Sequence, residues 1–167
     1  NVSGEESRRE HGLDERPIIA LLAGSRQQEI AGNLPQMIAA ARRFGGYQLV
    51  LAAAPGIDAE FYDAFIGGSD VHVVRGETYA LLSHADTALV TSGTATLETA
   101  LFRVPQVVCY NTALPKLVGF LRRLMLKVKY VSLVNLIADR EVVPELVANT
   151  FSEANIAEQL KRLLPDG

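Results

Sequence analysis

The 167-residue chain has one cysteine, Cys109, and three scattered histidines. A lone cysteine excludes a disulfide framework, and so few soft ligands exclude a structural zinc site. Long apolar runs are missing too: none reaches the roughly 20 residues needed to span a bilayer. No signal-peptide pattern opens the chain, so the reduced cytoplasm is the expected compartment. Common phosphate and nucleophile signatures are also absent. No Gly-Lys-Ser/Thr follows the first glycine loop, and Gly24 and Gly32 lack the partners that G-x-G-x-x-G requires. A hydrolase elbow, G-x-S-x-G, would need glycine where Val90 and Thr94 stand.

What remains is globular. Hydrophobic residues make up 49% and charged residues 21%, which excludes disordered, collagen-like and coiled-coil chains. The length fits one domain or two small ones. Because the chain begins at Asn1 rather than methionine, it is expected to be a piece of something longer. The net charge of −3 is an average of two unlike parts. Lys116, Arg122, Arg123, Lys127 and Lys129 fall in a stretch, 116–130, without a single Asp or Glu. With those five set aside from the 16 Lys and Arg, 11 stand against 19 Asp and Glu, a net of −8.

Residues 1–16 are polar and weakly patterned, and read as a linker or frayed helix; an ordered unit is expected over 17–167. Within it, apolar runs alternate with amphipathic stretches. Strands are expected at 18–23 (IIALLA), 47–52 (YQLVLA), 71–74 (VHVV), 87–90 (TALV) and 106–110 (QVVCY). Helices are expected on the spacing Leu34, Met37, Ile38, Ala41, then around 59–65, 78–84 and 94–102. Beyond Tyr110 the pattern looks all helical, the last helix being capped by Thr150, with Glu153 three residues on, or by Ser152. Near-continuous apolar strands separated by helices imply an α/β fold, a doubly wound parallel sheet covered on both faces, with additional C-terminal helices.

In such a sheet, ligands sit in the loops leaving the carboxyl ends of the strands. The first loop is Ala23-Gly24-Ser25-Arg26: glycine for close backbone approach, a hydroxyl, and a planar guanidinium suited to phosphate. An ordinary strand-to-helix turn with a surface arginine would look the same. The second is Thr91-Ser92-Gly93-Thr94-Ala95-Thr96-Leu97-Glu98, where small hydroxyl residues open a helix. Free N–H groups and the positive dipole end make that an anion site, although Thr94 and Thr96 could simply cap the helix. Glu98, one turn in, could reach a ribose diol. The third, 74–80 (VRGETYA), could present backbone groups to the edge of a base or be a plain turn. His11, His72 and His84 are expected without partners and Cys109 as a buried small hydrophobe.

The cationic stretch is amphipathic. Leu117, Phe120, Leu121, Leu124, Met125 and Val128 gather on one helical face, with Lys116, Arg122, Arg123 and Lys127 on the other. A helix docked on its own core would share that pattern. The lack of acidic residues points to an anionic membrane surface, with Phe120, Arg122, Arg123, Lys127 and Lys129 facing it. Nucleic acid ranks lower, because the rest of the chain is acidic and no aromatic stacking platform accompanies the strip.

Taken in order, GSRxxEI after a strand, TSGTATLE at a later strand end, YVSLVNLIA and VVPEL resemble lipid-A-disaccharide synthase, an inverting glycosyltransferase family. The resemblance runs from Pro17 to about Leu164 and concerns the C-terminal half of that enzyme. It implies a GT-B architecture of two Rossmann-like domains, the C-terminal one holding the nucleotide sugar. It also implies the reaction: UDP-2,3-diacylglucosamine and 2,3-diacylglucosamine 1-phosphate (lipid X) give a β-1,6-linked disaccharide and UDP, at the cytoplasmic face of the inner membrane of Gram-negative bacteria. Carried over by position, Gly24, Ser25 and Arg26 would hold the diphosphate, and Ser92, Gly93, Thr94 and Thr96 would line its helix-terminal end. Glu98 would take the ribose hydroxyls, and Asn135 matches an asparagine at the substrate site. No metal or other cofactor is implied, since Arg and amide groups serve the diphosphate and the chain has no Asp-x-Asp. The general base is expected in the family's N-terminal half, so this chain alone is expected to be inactive. Family members can pair through their C-terminal helices, which leaves a homodimer open. Ala23 and Val134 stand where the family often has proline; both sites shape backbone rather than chemistry.

Two other readings stay open on the residues. One is another GT-B enzyme using UDP-N-acetylglucosamine, such as a MurG-like transferase or a 2-epimerase, which the cationic helix and the VSLVNL and VVPEL segments fit poorly. The other is a non-catalytic nucleotide-binding module of the same fold.

Overall fold

The computed structural model describes residues 2–68, 70–91, 94–111, 132–147 and 150–164. In chain order the elements are α1 (Val2–Glu10), β1 (Ile18–Leu22), α2 (Gln27–Ala41), β2 (Gln48–Ala53), α3 (Ala59–Ile66), β3 (Val71–Arg75), α4 (Thr78–His84), β4 (Thr87–Val90), α5 (Thr94–Leu101), β5 (Gln106–Tyr110), α6 (Leu133–Ala138), β6 (Glu145–Val147) and α7 (Glu153–Leu163). The strands form one sheet in the order β3-β2-β1-β4-β5-β6, and every neighbouring pair is parallel. The chain therefore builds outward from β1 in one direction and then, from β4, in the other. This is the doubly wound, Rossmann-like order, with its switch point between β1 and β4.

Period-two alternation sorts the strand residues onto two buried faces. Ile19, Leu21, Leu49, Leu51, Leu89, Val107 and Cys109 point to one face, where Leu34, Met37 and Ile38 of α2, Tyr62 of α3 and Ile156 and Leu160 of α7 cover them. Ile18, Ala20, Leu22, Val50, Ala88 and Val90 point to the other, against Leu81 and Leu82 of α4 and Val104. Burying each large aliphatic side chain contributes about 1.5–3 kcal/mol, so apolar burial on both faces holds the sheet between its helices. Among the described residues no helix is long and apolar enough to cross a membrane.

One expectation beyond Tyr110 is corrected. Residues 145–147 are a strand, not a helix: Val108, Cys109 and Tyr110 pair with Glu145, Leu146 and Val147, and the Pro144 carbonyl accepts the Val108 N–H at 2.9 Å. Three residues at a sheet edge carry no readable alternation; what makes them a strand is the open edge of β5. Of the two proposed caps for α7, Ser152 is the one used, accepting the Asn155 N–H at 3.1 Å. The Thr150 hydroxyl instead accepts the Val147 N–H and donates to the Val147 carbonyl, both at 2.9 Å. The cationic strip, with Phe120, Arg122, Arg123, Lys127 and Lys129, lies outside the described residues.

The first sixteen residues include α1, followed by a turn at Gly12 with φ +66°. The Arg8 guanidinium donates to the Asp14 and Arg16 carbonyls at 2.9 and 3.1 Å, and the Gln48 side-chain amide donates to the same two carbonyls at 3.0 and 2.6 Å. Leu13 packs against the core on the β1 side. These contacts set the entry of the chain into β1.

Candidate functional site

A cleft of ≈ 730 Å³ opens at the carboxyl end of the sheet, beside the switch point. Its walls come from four connections: Gly24, Ser25 and Glu29 after β1, Ala54 and Pro55 after β2, Gly76 to Ala80 after β3, and Thr91, Thr94, Ala95 and Glu98 after β4. That volume lies within the ordinary range for small-molecule sites.

The first wall is built by a turn that only glycine fits. Gly24 has φ +107°, and a Cβ added there would stand 2.7 Å from Glu29 Oε2 and 3.1 Å from Glu29 Cβ. The Glu29 carboxylate reaches back along the first turn of α2 and accepts the Ser25 N–H at 3.2 Å. Arg26 is the last extended residue before α2, with φ −118° and ψ 142°. Its side chain is exposed and is not part of the cleft wall, and among the described residues nothing holds its guanidinium. Gly24 and Ser25 thus face the cleft, while Arg26 stands at the start of the helix beside it.

The second wall is the start of α5. Ser92 and Gly93 lie outside the described residues. Thr94 and Glu98, four residues apart, fall on the same face of α5 and line the cleft. Thr96 does not: it is fully buried, and its carbonyl accepts the Gln106 side-chain amide at 3.0 Å. Thr91, at the end of β4, was not singled out from the sequence. Its N–H donates to the Leu22 carbonyl at 2.8 Å, tying β4 to β1, and it is 1% exposed. Its hydroxyl has no hydrogen-bond partner among the described residues.

The third wall turns at Gly76, φ +67°, and presents Glu77 and Tyr79. His11, expected to be without a partner, sits with Nε2 2.7 Å from Glu77 Oε2, so the segment before β1 is joined to this loop. His84 Nδ1 lies 2.8 Å from both the Ser83 hydroxyl and the Ala80 carbonyl, at the end of α4 and away from the cleft. Tyr79 is 59% exposed. Its hydroxyl donates to Glu98 Oε1 at 3.1 Å, and that carboxylate holds the phenol above its ordinary pKa. The Tyr79 ring rests against Phe102, with centroids 5.6 Å apart.

Asn135 stands apart from the cleft. It is fully buried, and its Nδ2 donates to the Val143 carbonyl at 2.8 Å and to Glu145 Oε1 at 2.9 Å. Its Oδ1 accepts the N–H groups of Val142 and Val143 at 2.7 and 3.0 Å. Both donors and the acceptor are thereby committed to the turn between α6 and β6. Cys109 is buried in β5, where desolvation pushes its thiol far up.

Chemically the cleft offers backbone N–H groups at two helix starts, α2 and α5, for an anion. A carboxylate, Glu98, stands one turn deeper as an acceptor for hydroxyls. Alanines 52–54 and Pro55 give it an apolar wall. Its charged lining residues are Glu29, Glu77 and Glu98, all acidic, so attraction for an anion falls to the helix starts and to Arg26 nearby.

A family model described as lipid-A-disaccharide synthetase matches residues 3–167. Lipid-A-disaccharide synthase of Myxococcus xanthus is 42% identical over 153 residues, covering 88% of this chain and 39% of that protein. The synthase of Solibacter usitatus is 36% identical over 171 residues, covering 99% of this chain and 44% of its own length. The chain therefore spans well under half the length of these relatives. Among solved structures, ADP-heptose LPS heptosyltransferase II of E. coli superposes with a TM-score of 0.65 at 13% identity, covering 98% of this chain and 51% of that one. A family 9 glycosyl transferase from Veillonella parvula gives 0.62 at 17% identity, covering 99% and 51%. At such identities these two speak for the fold alone, a Rossmann-like α/β sheet.

Proposed function

The chain belongs to the lipid-A-disaccharide synthetase family, and on that premise we propose that its cleft holds the UDP part of a nucleotide-sugar donor. The whole enzyme, in this reading, transfers 2,3-diacylglucosamine from its UDP derivative to 2,3-diacylglucosamine 1-phosphate, giving lipid A disaccharide 1-phosphate. The observation that carries the reading is the placement of Glu98 one turn inside α5, facing the same cleft as Gly24, Ser25 and Thr94.

The roles follow from that placement. The diphosphate lies across the starts of α2 and α5, where N–H groups without intrahelical partners and the dipole ends favour negative charge. Arg26, exposed and unengaged, swings over it. Glu98 accepts from the ribose hydroxyls, and the 74–80 loop borders the base. As the glycosidic bond breaks, negative charge grows on the departing UDP, and these preorganised donors stabilise it. The base that takes the acceptor's proton belongs to a part of the enzyme outside this chain, so the chain alone binds donor and transfers nothing.

Titration calorimetry with UDP tests the reading. Saturable binding is expected, weakened roughly tenfold by Arg26→Ala or Glu98→Gln, as for loss of one charge-assisted hydrogen bond. No UDP binding, or no effect of either variant, would end it. Comparing UDP-N-acetylglucosamine with its diacylated analogue separates this family's donor from that of other UDP-sugar enzymes.

The strip at 116–130 is proposed to meet an anionic membrane surface at the cytoplasmic face, where two diacylated substrates would reside. Co-flotation with phosphatidylglycerol vesicles, lost when Arg122, Arg123 and Lys127 are changed to Glu, is the expected result. Equal flotation with neutral vesicles would refute it.

A further inference from the structure

Tyr79 is a large aromatic residue that is mostly exposed yet restrained at both ends. Its ring lies against Phe102, just past α5, with the planes inclined by 38°, and its hydroxyl donates to Glu98 Oε1 at 3.1 Å. Both restraints come from the α5 side, while Tyr79 itself belongs to α4 and lines the cleft. The loop before it is held in turn by the Gly76 turn and by His11 against Glu77 at 2.7 Å. An exposed tyrosine hydroxyl would find water equally well; here it is aimed at the one carboxylate that α5 presents to the cleft.

We infer that Tyr79 is a positioning residue for Glu98, and that the pair makes the cleft selective for a ribonucleotide over its 2′-deoxy counterpart. The inference rests on the UDP reading above and deepens it. A glutamate side chain on a solvated helix face samples many rotamers, and a ligand that needs one of them must first order it. The phenol takes one lone pair of Oε1 and fixes the plane of the carboxylate. A carboxylate has about four acceptor positions, so Oε2 and the second position on Oε1 remain for a vicinal diol. Contact with Phe102 prevents the phenol from swinging away, which makes the arrangement a standing one rather than one built on binding. The rise in the phenol's pKa accords with a hydroxyl that stays protonated and donating.

The test compares UDP with 2′-deoxy-UDP by calorimetry on the 167-residue chain and two variants. Tyr79→Phe removes the hydroxyl and keeps the ring on Phe102. Expected is a fall of roughly three- to tenfold in the preference for UDP, as for one neutral hydrogen bond acting through its acceptor, with deoxy-UDP, which keeps only the 3′-hydroxyl, weakened less than UDP. A melting temperature matching that of the unaltered chain shows that the variant is folded. Glu98→Gln should abolish the preference altogether. If Glu98→Gln abolishes it and Tyr79→Phe leaves it intact, the positioning role is wrong and the ribose reading stands. Tighter UDP binding by Tyr79→Phe would likewise overturn the role, since the phenol would then be a competitor for Glu98. If the unaltered chain binds both nucleotides equally, the positioning role falls while UDP binding stands; if it binds neither, the UDP reading falls as well.

Discussion

Glu29 Oε2 occupies the space where a side chain on Gly24 would begin, 2.7 Å from the position of the missing Cβ, and the same oxygen accepts the Ser25 N–H. Glycine at 24 is thus required twice, by a φ of +107° and by the carboxylate packed against it.

Gly24→Ala should therefore lower stability by about 1–3 kcal/mol from backbone strain alone. Because the added methyl also displaces Glu29 from Ser25, UDP affinity should fall as the loop re-forms. Thermal melts of Gly24→Ala, Glu29→Ala and the double variant check this. Part of the alanine penalty should vanish in the Glu29→Ala background, leaving the strain from φ. Full additivity would show that the two residues do not interact.

Asn135 gives a second test, because the family resemblance assigns it to substrate and the structure surrounds it with its own chain. Asn135→Ala takes the side-chain partner from the Val142 and Val143 N–H groups and from the Val143 carbonyl. Each such orphan costs up to about 1–3 kcal/mol where it is shielded from water, so a drop in melting temperature is expected. Asn135→Asp keeps the acceptor but sets a carboxylate against Glu145, and should be no better. Unchanged stability with weakened UDP binding would show that the side chain serves the ligand instead.

Burial of Cys109 makes a prediction about reactivity. Desolvation raises the thiol's pKa, so the thiolate, the only nucleophilic form, stays scarce across the neutral and mildly alkaline range. Iodoacetamide at about pH 8 should leave the native chain unmodified, with labelling that follows global unfolding in urea. Saturating UDP should slow it further through binding linkage. Rapid labelling of the native chain would mean that β5 opens locally.

Much of the fold was legible in the residues. The runs at 87–90 and 106–110 are strands over the expected lengths, those at 18–23 and 71–74 differ by a residue at one end, and that at 47–52 is shifted by one residue to 48–53. Continuous apolar character bounded by Gly, Pro and polar turns is a local property, and local reading recovers it. The 145–147 strand could not be recovered in this way, because its pairing energy comes from β5 and its own three residues carry no period. In the site, Gly24, Ser25, Thr94 and Glu98 do share one cleft. Thr96 turns inward by helical geometry, and Asn135 serves a turn whose partners the sequence did not reveal. Tyr79 was visible as part of an unexceptional loop; an aromatic residue at the start of a short helix after a strand end was the only signal of its role.

Element order from β1 to β5, the parallel class of the sheet and the loops that would carry chemistry were legible in the sequence alone, because apolar periodicity and turn residues act over a few neighbours. Which side chains meet was decided only by tertiary structure. Tyr79 and Glu98 are 19 residues apart, and His11 and Glu77 are 66 apart. They are brought together because α4, leaving β3, packs back across β2 and β1 toward the β4 side of the sheet. That arrangement is chosen by burying both faces of the sheet at once, a property of the whole chain and of no single segment.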